Sequence, residues 1–542
     1  MIENQTHYAK TFREQFNLRT VVLAACGSAL ISMSSMYVAL RLGALPWPTI
    51  FAAILSMAIL KLLKNTNVNE INVAHTGMSA GAMVAGGIAF TIPGIWIIQQ
   101  DAYVSFWYVL LVAVMGVILG VMSVILIRSY FIDRSNLPYP VGVASAQTVT
   151  TGDTGGRKAV VLFSSLGIAA LFTALRDGFN KIPQALVSKY LNAKNIPIGL
   201  WLSPMALGIG YIIGPTYMGL WLLGAILGSV LIVPIGLNVK WFQDLATANA
   251  FKSSLGIGMI IGGGIGILIK DILPKSKEIF LPITKEVSSR KAIRIFPLIV
   301  VAAVLVATIY FKIDVISSII LIAGVWITVG MAAYIDGATG IDPLEIFGII
   351  VLLFVRLVSS FYTNLTMMTL FAVAGIVAVA TGLAGDNLQD FKSGSILHTD
   401  VWAQVLSELV GGIVGALFAT IAIFVMHATY KQFGPNTFLP APQAYAVSSM
   451  ISGLPQPRAF ILGLVMGIII YLFGFHSSII GIGIYLPFII TGTAFIGALA
   501  RMFIKKFFPK FDENGILISS GLLGGEGVTG VLIAIIRFIG GF

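Results

Sequence analysis

Charge is scarce in this chain. Only 10% of its 542 residues are Asp, Glu, Lys or Arg, against about 25% in soluble domains. That excludes a soluble globular enzyme and a charge-rich disordered chain. Cysteine is nearly missing: Cys26 stands alone, which rules out an internal disulfide and a Cys-rich metal site. The five histidines, His7, His75, His398, His427 and His476, lack metal-ligand spacing. Neither G-x-x-x-x-G-K-[ST] nor H-E-x-x-H occurs, so the P-loop and zincin chemistries are set aside. Asp336 and Asp386 invite comparison with an intramembrane aspartyl protease, but the Y-D and G-x-G-D contexts are missing. No catalytic set, metal or cofactor is expected.

What the chain has is apolar length: 57% of it is hydrophobic, with a mean hydropathy of +0.96. A membrane crossing takes roughly 20 apolar residues at ~1.5 Å each. Apolar segments run near 20–42, 47–63, 72–93, 104–127, 158–176, 197–213, 216–235 and 244–269, then near 295–311, 315–335, 346–361, 364–382, 401–428, 457–475, 480–500 and 514–538. The expected fold is an all-α polytopic membrane protein of about sixteen transmembrane helices, eight and eight. Its 58 glycines suit helices that approach closely in lipid. The polar start, Met1–Arg19, leads straight into a span, which predicts no cleavable signal peptide. The net charge of +11 reads as cytoplasmic loops under the positive-inside rule rather than as a nucleic-acid footprint.

The most basic stretch, 270–294, holds Lys270, Lys275, Lys277, Lys285, Arg290, Lys291 and Arg294. It is read as a cytoplasmic linker between two transmembrane half-repeats, 1–269 and 295–542. Lys505, Lys506 and Lys510 point to a second cytoplasmic loop, which sixteen crossings with both termini inside would place on the other side. Two short apolar stretches, 137–151 and 439–453, open alike. Leu137-Pro138-Tyr139-Pro140 returns as Leu439-Pro440-Ala441-Pro442, with Ala144 matching Ala446, at an offset of 302 residues (137 to 439). Two unrelated interfacial turns would give the same local pattern, but the matched flanks favour duplication. Pro favours a first helical turn, so each LPxP is expected to start a re-entrant half-helix facing a cavity, since free backbone groups are costly in hydrocarbon. Such paired, Pro-interrupted segments mark transport sites.

Polar side chains within spans are costly and are functional candidates by default. Asn72, His75, Thr76 and Ser79 share one face at helical spacing and are read as substrate-binding. Asp386, Gln389 and Asp390 stack on another face, with Lys392 nearby. Two carboxylates, an amide and an ammonium suit a zwitterion or a cation complex. Gln389 and Lys392 are assigned to substrate, Asp386 and Asp390 to proton coupling. Gln443, at the second half-helix, suits a carboxylate or a peptide carbonyl. Glu526, mid-span among glycines, and Glu345, in a cluster with Asp336 and Asp342, are further proton-coupling candidates. In each case helix–helix bonding or a polar surface turn would produce the same residues.

These motifs together resemble the oligopeptide transporter (OPT) family, which includes the yellow stripe-like metal–chelate carriers. The resemblance runs through Asn72–Pro93, Leu137–Gln147, Ser254–Gly264, Gly385–Gly394, Leu439–Ala444, Gly481–Pro487 and Gly521–Gly530. It implies a proton-driven secondary transporter in the cell membrane, taking up small peptides or peptide-like metal chelates. The chain departs from the family pattern at Val141 and Gln147, where Glu is frequent, at His75, where Gln is common, and at Ile341–Glu345. The expected function is proton-coupled symport of small oligopeptides into the cytoplasm. Metal–chelate uptake is the alternative substrate reading and an integral membrane enzyme the alternative class. The expected partners are the substrate, protons, the bilayer and a second copy in a homodimer.

Overall fold

In lipid every backbone N–H and C=O must find its partner inside the segment, and this sequence folds into helices almost throughout. The computed structural model describes residues 8–43, 45, 49–150, 155–277, 290–340, 342, 344–435, 437–452 and 456–540. Among these, eleven helices are long and apolar enough to cross a membrane. A twelfth crossing results if Pro442–Ser452 and Pro457–Leu472, which diverge by 119°, are one span. Large apolar side chains such as Ile168, Leu298, Ile309, Phe473 and Ile539 are exposed, as a lipid-facing surface requires.

Sixteen full crossings are not reached by this measure, and local chemistry gives the reason. The segment near 197–213 was expected to span. Instead Gly199–Trp201 forms an antiparallel strand pair with Ala185–Val187. Ser203 then caps the ten-residue helix Pro204–Ile213, accepting from Ala206 N–H. Ten residues rise about 15 Å, half a bilayer core. The segment near 480–500 is split as well. Helix Ser477–Tyr485 stops where Leu486 turns extended, and Pro487 leads into Phe488–Phe507.

The chain forms two compact units. Met1–Met36, Trp47–Ala159 and Lys275–Phe424 make the first, and Tyr37–Pro46, Val160–Pro274 and Val425–Phe542 the second. Each unit takes segments from both sides of the basic stretch, so the units divide the chain differently from half-repeats 1–269 and 295–542. Residues 278–289 of that stretch lie outside the described residues. In the first unit, helix Met367–Leu397 is packed by Val68–Ala89, Phe106–Arg128, Val315–Thr339 and Leu344–Ser359. In the second, Leu245–Ile267 packs on Pro457–Leu472 and Ser477–Tyr485.

Both LPxP motifs are built the same way. In the first unit Tyr139 takes φ 43°, and its N–H donates to Gly337 O at 2.9 Å. In the second unit Ala441 takes φ 41° and donates to Leu40 O, also at 2.9 Å. Non-glycine residues rarely adopt this left-handed region. The acceptors lie near the ends of helices Val315–Thr339 and Leu18–Leu42, which are followed by Gly340 and Gly43, both with positive φ. Acceptors and glycines recur at one offset of 297 residues (40 to 337, 43 to 340). After each motif comes an eleven-residue helix, Pro140–Thr150 or Pro442–Ser452, too short to cross.

Candidate functional site

The site of the first unit is assembled on helix Met367–Leu397. Thr366 starts this helix by accepting from Thr369 N–H, and His398 ends it in the left-handed conformation. The helix runs on through 386–394, past the apolar segment 364–382, so these residues lie inside a continuous helix. Asp386, Asn387, Gln389, Asp390 and Ser393 are all buried.

Helix Val68–Ala89 faces it. Its first turn is fixed by Asn67, whose side chain accepts from Glu70 N–H, and Glu70 pairs with Arg19 at 3.1 Å. Every residue of this helix is buried. His75 Nε2 lies 3.0 Å from Asp390 Oδ1, and Ser79 Oγ donates to Asp390 Oδ2 at 2.9 Å. Asn72 accepts from Ser393 Oγ at 2.7 Å and donates to Thr399 Oγ1 at 3.2 Å. Gln404 Nε2 donates to Asp390 O at 2.7 Å and reaches Thr76 Oγ1 at 3.3 Å. Asn72, His75 and Ser79 therefore meet the 386–394 group directly, and Thr76 is linked to it through Gln404.

The half-helix Pro140–Thr150 joins the network at two points. Ser145 Oγ sits 3.2 Å from His75 Nε2. With the proton on Nε2, His75 donates to Asp390, and Ser145 shares the same N–H. Gln389 accepts from Gly142 N–H at 2.8 Å and donates to Asp336, to both O and Oδ2, at 2.9 Å. Gly142 has no Cβ to block this approach: one placed there would stand 2.1 Å from Gln389 O. Gln389 thus ties the start of the half-helix to the end of Val315–Thr339. Lys392 stands apart, half-buried, with its ammonium 5.8 Å from the Tyr139 ring.

Several carboxylates complete the site. Glu345 is buried in the first turn of Leu344–Ser359. Asp342 lies over Gly385, where an added Cβ would stand 2.7 Å from its Oδ2, and neither of its oxygens has a hydrogen-bond partner among the described residues. Glu408, on helix Val401–Tyr430, was not singled out from the sequence. It is buried, with both oxygens unpartnered among the described residues, and its acidic neighbours are Asp386 and Asp390. The sequence signal was there, an acid inside the apolar run 401–428, but the length of that run masked it.

Two candidates belong to the second unit. Gln443 donates to Gly43 O at 3.1 Å, and its Oε1 has no partner among the described residues. Glu526 is buried mid-helix as expected but is not alone. It accepts from Arg176 at 2.8 Å, from Ser203 Oγ at 2.8 Å and from Met205 N–H at 2.8 Å. Arg176 also holds Asp177 through Nε at 2.8 Å, and Arg537 donates to Asp177 O. Removing one member of a buried ion network leaves an uncompensated charge. Arg176→Met is therefore expected to cost about 3–5 kcal/mol, read as a lower thermal midpoint of the purified protein. Glu526→Gln, which keeps most of these bonds, is expected to cost less.

A polytopic helical fold with a buried ionisable network tied to a Pro-started half-helix defines a multi-pass membrane transporter. Residues 15–537 match the family described as OPT oligopeptide transporter protein, and the chain belongs to that family. It is similar to a Haemophilus influenzae protein named "Putative oligopeptide transporter", with 26% identity over 587 aligned positions covering 92% of each chain.

Proposed function

We propose that this transporter imports small oligopeptides by symport with protons, and that the Asp390–His75 pair carries the coupled proton. The supporting observation is the Ser145 contact: the nitrogen that meets Asp390 also meets the half-helix Pro140–Thr150. Taking up a proton changes the charge of the pair from −1 to 0. A net charge is costly at membrane depth and a neutral pair is far less so. Protonation therefore lowers the cost of rearranging the half-helix, whose Ser145 and Gly142 are both tied to this network. Alternating access of this kind runs through segments that line the site. On this reading Gln389, Asn72 and Thr76 act as positioning residues, because their side chains are engaged between helices. Asp386, Glu345 and Glu408 are further buried carboxyl groups of the same unit.

The test is uptake of a labelled tripeptide by liposomes holding the purified protein, with an imposed pH gradient. Accumulation is expected to disappear when a protonophore collapses the gradient. Accumulation that persists unchanged removes proton coupling. A peptide-bound metal tested in the same vesicles separates the two substrate readings.

A further inference from the structure

Lys252 has no part in the network above. It lies in the second unit, on helix Leu245–Ile267, and is only 7% exposed. Its ammonium reaches a single hydroxyl, Ser229 Oγ, at 3.4 Å. Among the described residues no carboxylate pairs with it. An ammonium buried in a spanning helix without a counter-charge is costly, and such residues mark sites.

The surroundings of Lys252 fit a ligand. Ser229 sits in the π-helical turn Ile226–Ile232, a distortion frequent at functional sites. Gly228, beside it, leaves room for the lysine stem: an added Cβ would stand 3.2 Å from Lys252 Cγ and Cδ and 3.0 Å from Ile484 O. Lys252 and Ile484 O therefore meet over one glycine, where Ser477–Tyr485 ends at the Leu486-Pro487 break. One turn along from Lys252, Gly256 packs against Tyr485. The Tyr485 ring lies 5.7 Å from that of Tyr445, on the half-helix Pro442–Ser452, and its hydroxyl donates to Pro440 O at 3.0 Å. Lys252 thus stands at a helix break connected to the second LPxP motif, the kind of discontinuity that lines substrate sites in transporters. One ammonium and one hydroxyl suit a singly charged anion. A phosphate group would call for more cations.

We propose that Lys252 binds the C-terminal carboxylate of the transported peptide. This rests on the reading of the chain as a peptide importer. The experiment compares labelled trialanine with its C-terminal amide in liposomes holding the full chain. In the wild type the free acid is expected to show an apparent KM about tenfold or more below that of the amide. Lys252→Met is expected to raise the KM of the acid until the ratio of the two KM values falls to about one. It is also expected to raise the ligand-free Tm, because a buried charge is gone, whereas a lysine held for packing would lower it. Lys252→Arg keeps the preference for the acid. Equal KM values for the two peptides in the wild type overturn the assignment while peptide transport stands, and that comparison needs no variant. A preference that survives in Lys252→Met overturns it too. If neither peptide enters, the peptide reading falls and the assignment falls with it.

Discussion

Asp390→Asn is expected to abolish concentrative uptake while leaving exchange intact. One proton moving down a pH gradient of about one unit carries about 1.36 kcal/mol, enough for about tenfold accumulation. In the variant that ratio is expected to fall to about one. The amide has the shape of the carboxylate and can still bond Ser79 and His75, which now hold Asp390 at 2.9 and 3.0 Å. The half-helix therefore keeps its contact through Ser145, and only the titratable charge is lost. Counterflow of labelled against unlabelled peptide, which needs no net proton movement, should proceed at a rate within a few-fold of wild type. This pairing of readouts separates a coupling defect from a folding defect. Undiminished accumulation in Asp390→Asn would instead move the proton to Glu408, whose oxygens have no hydrogen-bond partner among the described residues. Glu408→Gln would then carry the phenotype.

Much of the arrangement can be read in the sequence, and its gaps have identifiable causes. Composition alone reveals a helical membrane protein, because hydrocarbon admits few other solutions. The LPxP pair marks both half-helices, since Pro sets the first turn wherever it stands. His75 is visible as a polar residue inside the apolar segment 72–93, and Asp390 in the polar group that follows the segment 364–382. Their meeting is not, because they lie 315 residues apart and no local pattern carries that distance. The left-handed backbone at Tyr139 and Ala441 is hidden for a different reason. Only the Gly337 and Leu40 carbonyls favour it, and residue type argues against it. Lys252, Arg176 and Glu408 are obscured because an apolar window averages one charge away. The segment 197–213 misleads in the opposite direction: it is apolar enough to cross, but Ser203-Pro204 restarts the helix partway.

The packing around the site makes a second large effect expected. Helices Val68–Ala89 and Val401–Tyr430 touch backbone to backbone at Gly77 and Gly411. A Cβ on Gly411 would stand 1.8 Å from Gly77 O and 2.5 Å from Gly77 C, and backbone cannot swing aside as a side chain can. Gly411→Leu must therefore push the two helices apart by more than an ångström. Ser407 Oγ donates to Val73 O across the same seam at 2.6 Å, and Ser28 Oγ, from helix Leu18–Leu42, donates to Gly411 O at 2.6 Å. Each is worth about 1 kcal/mol net, and overpacking a tight interior adds about 1–3 kcal/mol. In lipid no gain in apolar burial compensates, because close packing is itself the main attraction between helices. Gly411→Leu is expected to yield little monodisperse protein, measured by size exclusion after extraction, and Gly411→Ala a folded protein of lower thermal midpoint. The milder variant also tests the link to function. Gln404, two turns before Gly411 on the same helix, holds Asp390 O at 2.7 Å, so separating the helices draws that contact out. Weaker accumulation in Gly411→Ala with normal peptide exchange would tie the glycine seam to proton coupling, whereas unchanged accumulation would confine the seam to stability.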